Sequence, residues 1–72
     1  MATSLASASV IRWRRGRDHR AYLTAHADAL AALVELQAAL NGHASTRKVQ
    51  RRARAVLLAV GLLWEAATHV LE

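Results

Sequence analysis

Arg47-Lys48-Val49-Gln50-Arg51-Arg52-Ala53-Arg54 runs directly into Ala55-Val56-Leu57-Leu58-Ala59-Val60-Gly61-Leu62-Leu63-Trp64. A basic block is followed, without a breaker, by ten residues that carry no charge. An ordinary surface helix is apolar along one stripe. This segment is apolar all round for about three turns. A short chain cannot cover such a surface by itself. A second copy, a larger partner or lipid has to do so.

The rest of the chain is read from that segment outward. Val49, Ala53, Val56, Val60, Leu63, Ala67 and Val70 recur with alternating spacings of four and three, which is a heptad seam. Leu57, Gly61, Trp64 and Leu71 form a stripe beside it, with Leu58 and Leu62 further round. Ser45 or Thr46 is the expected N-cap, so this helix spans about residues 46–71. Upstream, Asn41-Gly42 is a stop signal, because both residues tolerate the left-handed conformation that ends helices. Asp18 is the expected N-cap of an earlier helix over about residues 18–41. On that helix Tyr22, Leu23, Leu30, Leu33, Val34, Leu36 and Leu40 fall on one arc. A connection of a few residues between two long helices implies an antiparallel hairpin.

The expected fold is therefore all-α: a two-helix hairpin over 18–72, preceded by a basic arm over 1–17, and completed into a bundle by self-association or by a partner. Gly16 is read as a soft break between arm and helix. Leu30, Leu33, Leu40, Val56, Val60 and Leu63 are the expected intramolecular seam, and Leu57, Leu58, Leu62 and Trp64 the surface left for an outside partner. Folding about residues 43 and 44 also places Glu35 near Arg51 and Arg52, Glu65 near Arg20 and Tyr22, and Glu72 near Arg14 and Arg15.

Composition agrees with a helical chain. Seventeen alanines and eleven leucines are helix formers, and there is no proline to interrupt them. Seventy-two residues make one small domain, and domains of this size depend on staples or association. Without cysteine, neither a disulfide nor a thiolate metal site is available. Nine of the ten basic residues are arginine, which together with the alanine content fits a high-GC bacterium or its phage.

Charge is the second informative feature. The net charge is +5, which draws a chain to anionic surfaces: nucleic acid, anionic lipid or an acidic protein. Two clusters carry it. Arg12, Arg14, Arg15 and Arg17 surround Trp13 in the arm; Arg47, Lys48, Arg51 and Arg52 open the second helix. Arginine pairs phosphates bidentately, and an indole stacks on a base or sits at a lipid headgroup. The second cluster lies where the helix dipole disfavours cations, a cost of about 0.3–1 kcal/mol when exposed. Residues 1–17, rich in Ser, Ala and Arg and free of acids, resemble a mitochondrial presequence in composition. They do not read as a secretory signal, since the charges follow the apolar residues.

Enzymatic chemistry is not expected. The glycines 16, 42 and 61 are scattered and form no phosphate loop. His19, His26, His43 and His69 include no pair at helical ligand spacing, so neither a metal nor any other cofactor is expected. His26 and Gln37 interrupt the apolar arc of the first helix, either as register-setting interfacial groups or as partly solvated edge residues.

Three functions remain on these grounds. The first is a non-enzymatic helical interaction or assembly subunit that is a homo-oligomer or part of a larger complex, cytoplasmic or virion-associated. The second is a small membrane-active protein, holin-like or peripheral, using residues 55–71, whose 17 residues are at the short limit for a span and include Glu65 and His69. The third is a non-specific nucleic-acid-binding protein that uses the arginine clusters on phosphates.

Overall fold

The computed structural model describes the backbone of residues 2–71 and the side-chain surroundings of residues 12–71. It is an antiparallel pair of helices, α1 (Ala2–Asn41) and α2 (Thr46–Leu71), with no strand among the described residues. The hairpin is a thin rod of 64 × 14 × 13 Å with a radius of gyration of 17.9 Å. A compact chain of this length would have a radius of gyration of about 11 Å.

The turn is built from two complementary caps. At the end of α1 the Ala44 N–H donates to the Ala39 carbonyl at 3.0 Å, and the His43 N–H to the Leu40 carbonyl at 3.3 Å. This double bond pattern is a Schellman motif. Its left-handed residue is His43, with φ 55°. The stop at Asn41-Gly42 is thus in the right place, but neither residue adopts the left-handed conformation. Gly42 still donates to the Ala38 carbonyl at 2.9 Å in the helical pattern. Ser45 is the cap of α2: its Oγ accepts from the Lys48 N–H at 3.3 Å, and its carbonyl accepts from the Val49 N–H at 3.0 Å.

α1 does not start at Asp18. It runs unbroken from Ala2 through Gly16, so the expected arm over 1–17 is the first part of a 40-residue helix. No proline opposes this. One glycine costs only about 0.5–1 kcal/mol against alanine, and arginine and alanine favour the helix. Asp18 sits half-buried inside α1 instead of capping it.

Register follows from the ion pair between Arg52 and Glu35, whose Nη1 and Oε2 are 2.8 Å apart. It was one of the contacts expected from folding about residues 43 and 44. No ion pair involving Glu65 occurs among the described residues, and the expected partner Glu72 lies outside them. The same register places Leu71 level with about residue 16, and Leu71 indeed lines one cleft with Arg15, Asp18 and His19. Residues of α1 before that level extend past the described end of α2 by about 20 Å, at 1.5 Å per residue.

The seam is made of alanine. From Asp18 onward, the less exposed positions of α1 are Asp18, Tyr22, Ala25, Ala29, Ala32, Leu36 and Ala39, spaced four and three alternately. Ala29 at 4% and Ala39 at 6% exposure are the only described apolar residues that count as buried. α2 answers with Val49, Ala53, Val56, Ala59, Leu63, Ala66 and Ala67. This overturns part of the expected seam. Val56 and Leu63 do face α1, but Leu30 (52% exposed), Leu33, Leu40 and Val60 point away. The reason is steric. Small residues on both helices let the axes approach closely, and a leucine row would hold them apart. Leucine is the wider residue, and it is displaced to the flanks.

Two substitutions test this geometry. Ala29→Leu, at a site with no room, lowers stability by about 1–3 kcal/mol through overpacking, read as a fall in the thermal midpoint. Ser45→Ala lowers it by about 1 kcal/mol by removing the cap. Equal stability of Ala29→Leu and the parent would contradict the alanine seam.

Candidate functional site

Side chains that do not face the seam define two flanks. With about 100° per residue, Leu33 and Leu40 stand next to the seam on one side of α1, and Leu23 and Leu30 stand further round on that side. Val60, then Leu57, Trp64 and Leu71, occupy the corresponding side of α2. A cleft lined by His19, Tyr22, Ala67, Val70 and Leu71 marks where the helices meet along this flank. In the register set by Arg52 and Glu35, Leu30 lies level with Leu57 and Leu23 with Trp64. The result is one apolar strip about 26 Å long from Leu23 to Leu40. Leu57 is 72% exposed and Trp64 76%.

The opposite flank is mixed. A groove there is lined by Ala21, Thr24, Ala25 and Asp28 of α1 and by Ala55, Leu58, Ala59 and Leu62 of α2. The four residues expected to form one partner surface are therefore divided. Leu57 and Trp64 belong to the apolar flank, Leu58 and Leu62 to the mixed one, and all four are exposed. The heptad seam of α2 holds at Val49, Ala53, Val56, Leu63 and Ala67, while Leu23, Leu30, Leu33 and Leu40 of the α1 arc are exposed. Leu23, Leu30, Leu33 and Leu40 are the surface residues missed. The signal that could have found them is the alanine repeat: Ala25, Ala32 and Ala39 are seven apart, with Ala29 between, and that stripe excludes the leucine arc.

His26 and Gln37 lie on the leucine side of α1 and are exposed. The His26 ring sits 6.1 Å from the Tyr22 ring, tilted by 35°, an i,i+4 contact on one helix face. Among the described residues no three histidine, aspartate or glutamate side chains gather in a way that could hold a metal ion.

The two basic clusters occupy different ends of the rod, about 30–40 Å apart by helical rise. Near the turn, Arg47, Lys48 and Arg51 are exposed, whereas Arg52 is engaged with Glu35. At the other end Arg12, Arg14, Arg15 and Arg17 are all exposed. The Arg17 guanidinium stands 5.0 Å from the centre of the Trp13 ring, a cation–π contact between neighbouring turns.

The charge geometry separates the arginines of the turn. Arg51→Gln lowers the salt concentration at which the protein elutes from heparin more than Arg52→Gln does, because Arg52 already has a carboxylate partner. The opposite order would mean that the pair with Glu35 does not hold in solution. No protein-family model matches the chain, and no curated protein or solved structure matches it either.

Proposed function

We propose that the protein is a non-enzymatic helical assembly subunit whose apolar flank is covered by another protein surface, either a second copy or a larger complex. The observation that supports this is the inversion of the hairpin, with alanines making most of the seam and most leucines outside it. Full burial of a leucine contributes about 1.5–3 kcal/mol. Leu30 is 52% exposed and Leu57 72% exposed, so each withholds half or more of that from the monomer.

Surface area leads to the same reading. The protein exposes 6073 Å², against about 4,400 Å² for a compact monomer of its mass. The excess of roughly 1,700 Å² per copy is in the range that obligate subunits bury, since their interfaces total about 2,000–5,000 Å² over both partners. His26 and Gln37, standing among the leucines, would then set register and partner choice, as polar groups in a helical interface do.

A membrane reading is supported by a separate observation. α2 is long and apolar enough to cross a bilayer, with a mean hydropathy of 1.4 in its most apolar window. Against it stand Glu65 and His69 within α2, and Asp28 and Glu35 on the neighbouring helix. Ionisable groups at membrane depth are costly.

Light scattering after size exclusion, without detergent and at low and high salt, tests the assembly. A discrete oligomer that salt does not dissociate is expected, and Leu30→Glu with Leu57→Glu should reduce it to monomer. Leu58→Glu with Leu62→Glu, on the mixed flank, should leave it intact. A helical, monodisperse monomer that associates with no protein would refute the reading. Aggregation that anionic vesicles dissolve would replace it with the membrane one.

A further inference from the structure

The segment of α1 that extends past α2 has a charge arrangement that neither the seam nor the apolar flank explains. We infer that this segment is a binding element for double-stranded DNA, seated in the major groove and held by phosphates on both of its walls.

The argument rests on helical phase. At about 100° per residue, Arg12 and Arg15 form one row, one turn apart. Arg14 and Arg17 form a second row, about 160° round the helix from the first. All four side chains are exposed, with the Arg17 guanidinium 5.0 Å from the centre of the Trp13 ring and Arg15 beside Val70 and Leu71 of α2. Among the described residues, α2 reaches level with about residue 16.

Between the rows, on the back of α1, runs a ridge made by Trp13, Gly16 and Arg20. Trp13 is 60% exposed. The Arg20 Nη1 lies 3.5 Å from where a Cβ on Gly16 would stand, so the Arg20 side chain lies against Gly16. Asp18, the acidic residue nearest the cluster, lies on the other side, turned toward α2 and half-buried.

A helix with a cationic row on each side fits a groove with anionic walls. The major groove of B-DNA is about 12 Å wide and admits an α-helix, whose diameter with side chains is about 10–12 Å. Arginine rows on opposite flanks would reach the phosphates of both strands, and Arg20 and Trp13 would face the groove floor. A lipid surface asks for something different: one broad apolar face dipping into the acyl chains, with cations confined to the other face. The ridge, with an arginine and a glycine beside its tryptophan, is not such a face. Phosphate contacts carry no sequence information, so recognition is of duplex shape and charge.

The test uses the full chain and a fluorescent duplex of about 20 base pairs, with anisotropy read between about 50 and 200 mM salt. Three variants each lose two positive charges, taking the net charge from +5 to +3. Arg12→Gln with Arg15→Gln removes one row. Arg14→Gln with Arg17→Gln removes the other. Arg47→Gln with Lys48→Gln is the charge-matched control at the turn end. Four phosphate contacts predict a slope of log affinity against log salt of about −3.6, and loss of either row brings it to about −1.8. Each row variant should bind about tenfold or more weakly, while the control stays within about twofold.

Equal losses in the two row variants and the control would mean diffuse attraction to net charge and would overturn the inference. So would binding to single-stranded DNA as tight as to the duplex, or binding to anionic vesicles with none to DNA.

Discussion

The contact on which the structure depends is the alanine seam between α1 and α2. Ala25, Ala29, Ala32 and Ala39 meet Ala53, Ala59, Ala66 and Ala67, with Leu36, Val56 and Leu63 filling the places where the facing side chain is small. Side chains of one carbon let two helices approach closely along many turns. The same choice limits what the seam can contribute. Burying an alanine methyl is worth about 0.8 kcal/mol, well below a leucine side chain. Among the described apolar residues only Ala29 and Ala39 are buried. The hairpin is therefore held in register by close backbone approach, by its two caps and by the pair of Arg52 with Glu35, an exposed contact worth about 0–1 kcal/mol.

Everything else follows from where the wide side chains go once the seam excludes them. Leu23, Leu30, Leu33 and Leu40 gather on one flank of α1, and Leu57, Val60, Trp64 and Leu71 on the same flank of α2. Their union is a strip, not a core. An assembly subunit is the reading that gives this strip a partner, and under that reading most of the hydrophobic stabilisation would arrive on association. Folding and assembly would then be linked, since a species that binds only the folded chain raises its apparent stability by mass action.

Charge is distributed along the rod on a different principle. The middle carries the apolar strip, and the cations are concentrated toward the turn and toward the extension of α1. These regions are far enough apart, at about 30–40 Å, that screening at physiological salt, with a Debye length of about 8 Å, makes them independent. The turn cluster sits on the first turns of α2 against the helix dipole, with Arg52 partly compensated by Glu35. In the other cluster, the two rows follow simply from residues two apart lying on opposite sides of a helix. One short chain can thus carry an apolar protein-facing surface and a separate anion-facing element.

Sequence by itself determined the elements, the turn and the topology of this protein. Helix formers without proline made two long helices, Ser45 or Thr46 marked the start of the second, and a short connection left only an antiparallel hairpin. Glu35 was placed beside Arg52 by counting from the turn. Local signals decide these features, and each is complete within a few residues of chain. The break at Gly16 and the cap at Asp18 were misread, because a single glycine is too weak to end a helix rich in alanine and arginine. Which face of each helix turns inward was decided only by tertiary structure. Hydrophobicity ranked Leu30 and Leu33 above Ala29 and Ala32, and periodicity served both stripes equally well. The choice belonged to the distance between the two axes, a property of the pair and of neither helix alone. At close approach the narrow residues fit and the wide ones do not.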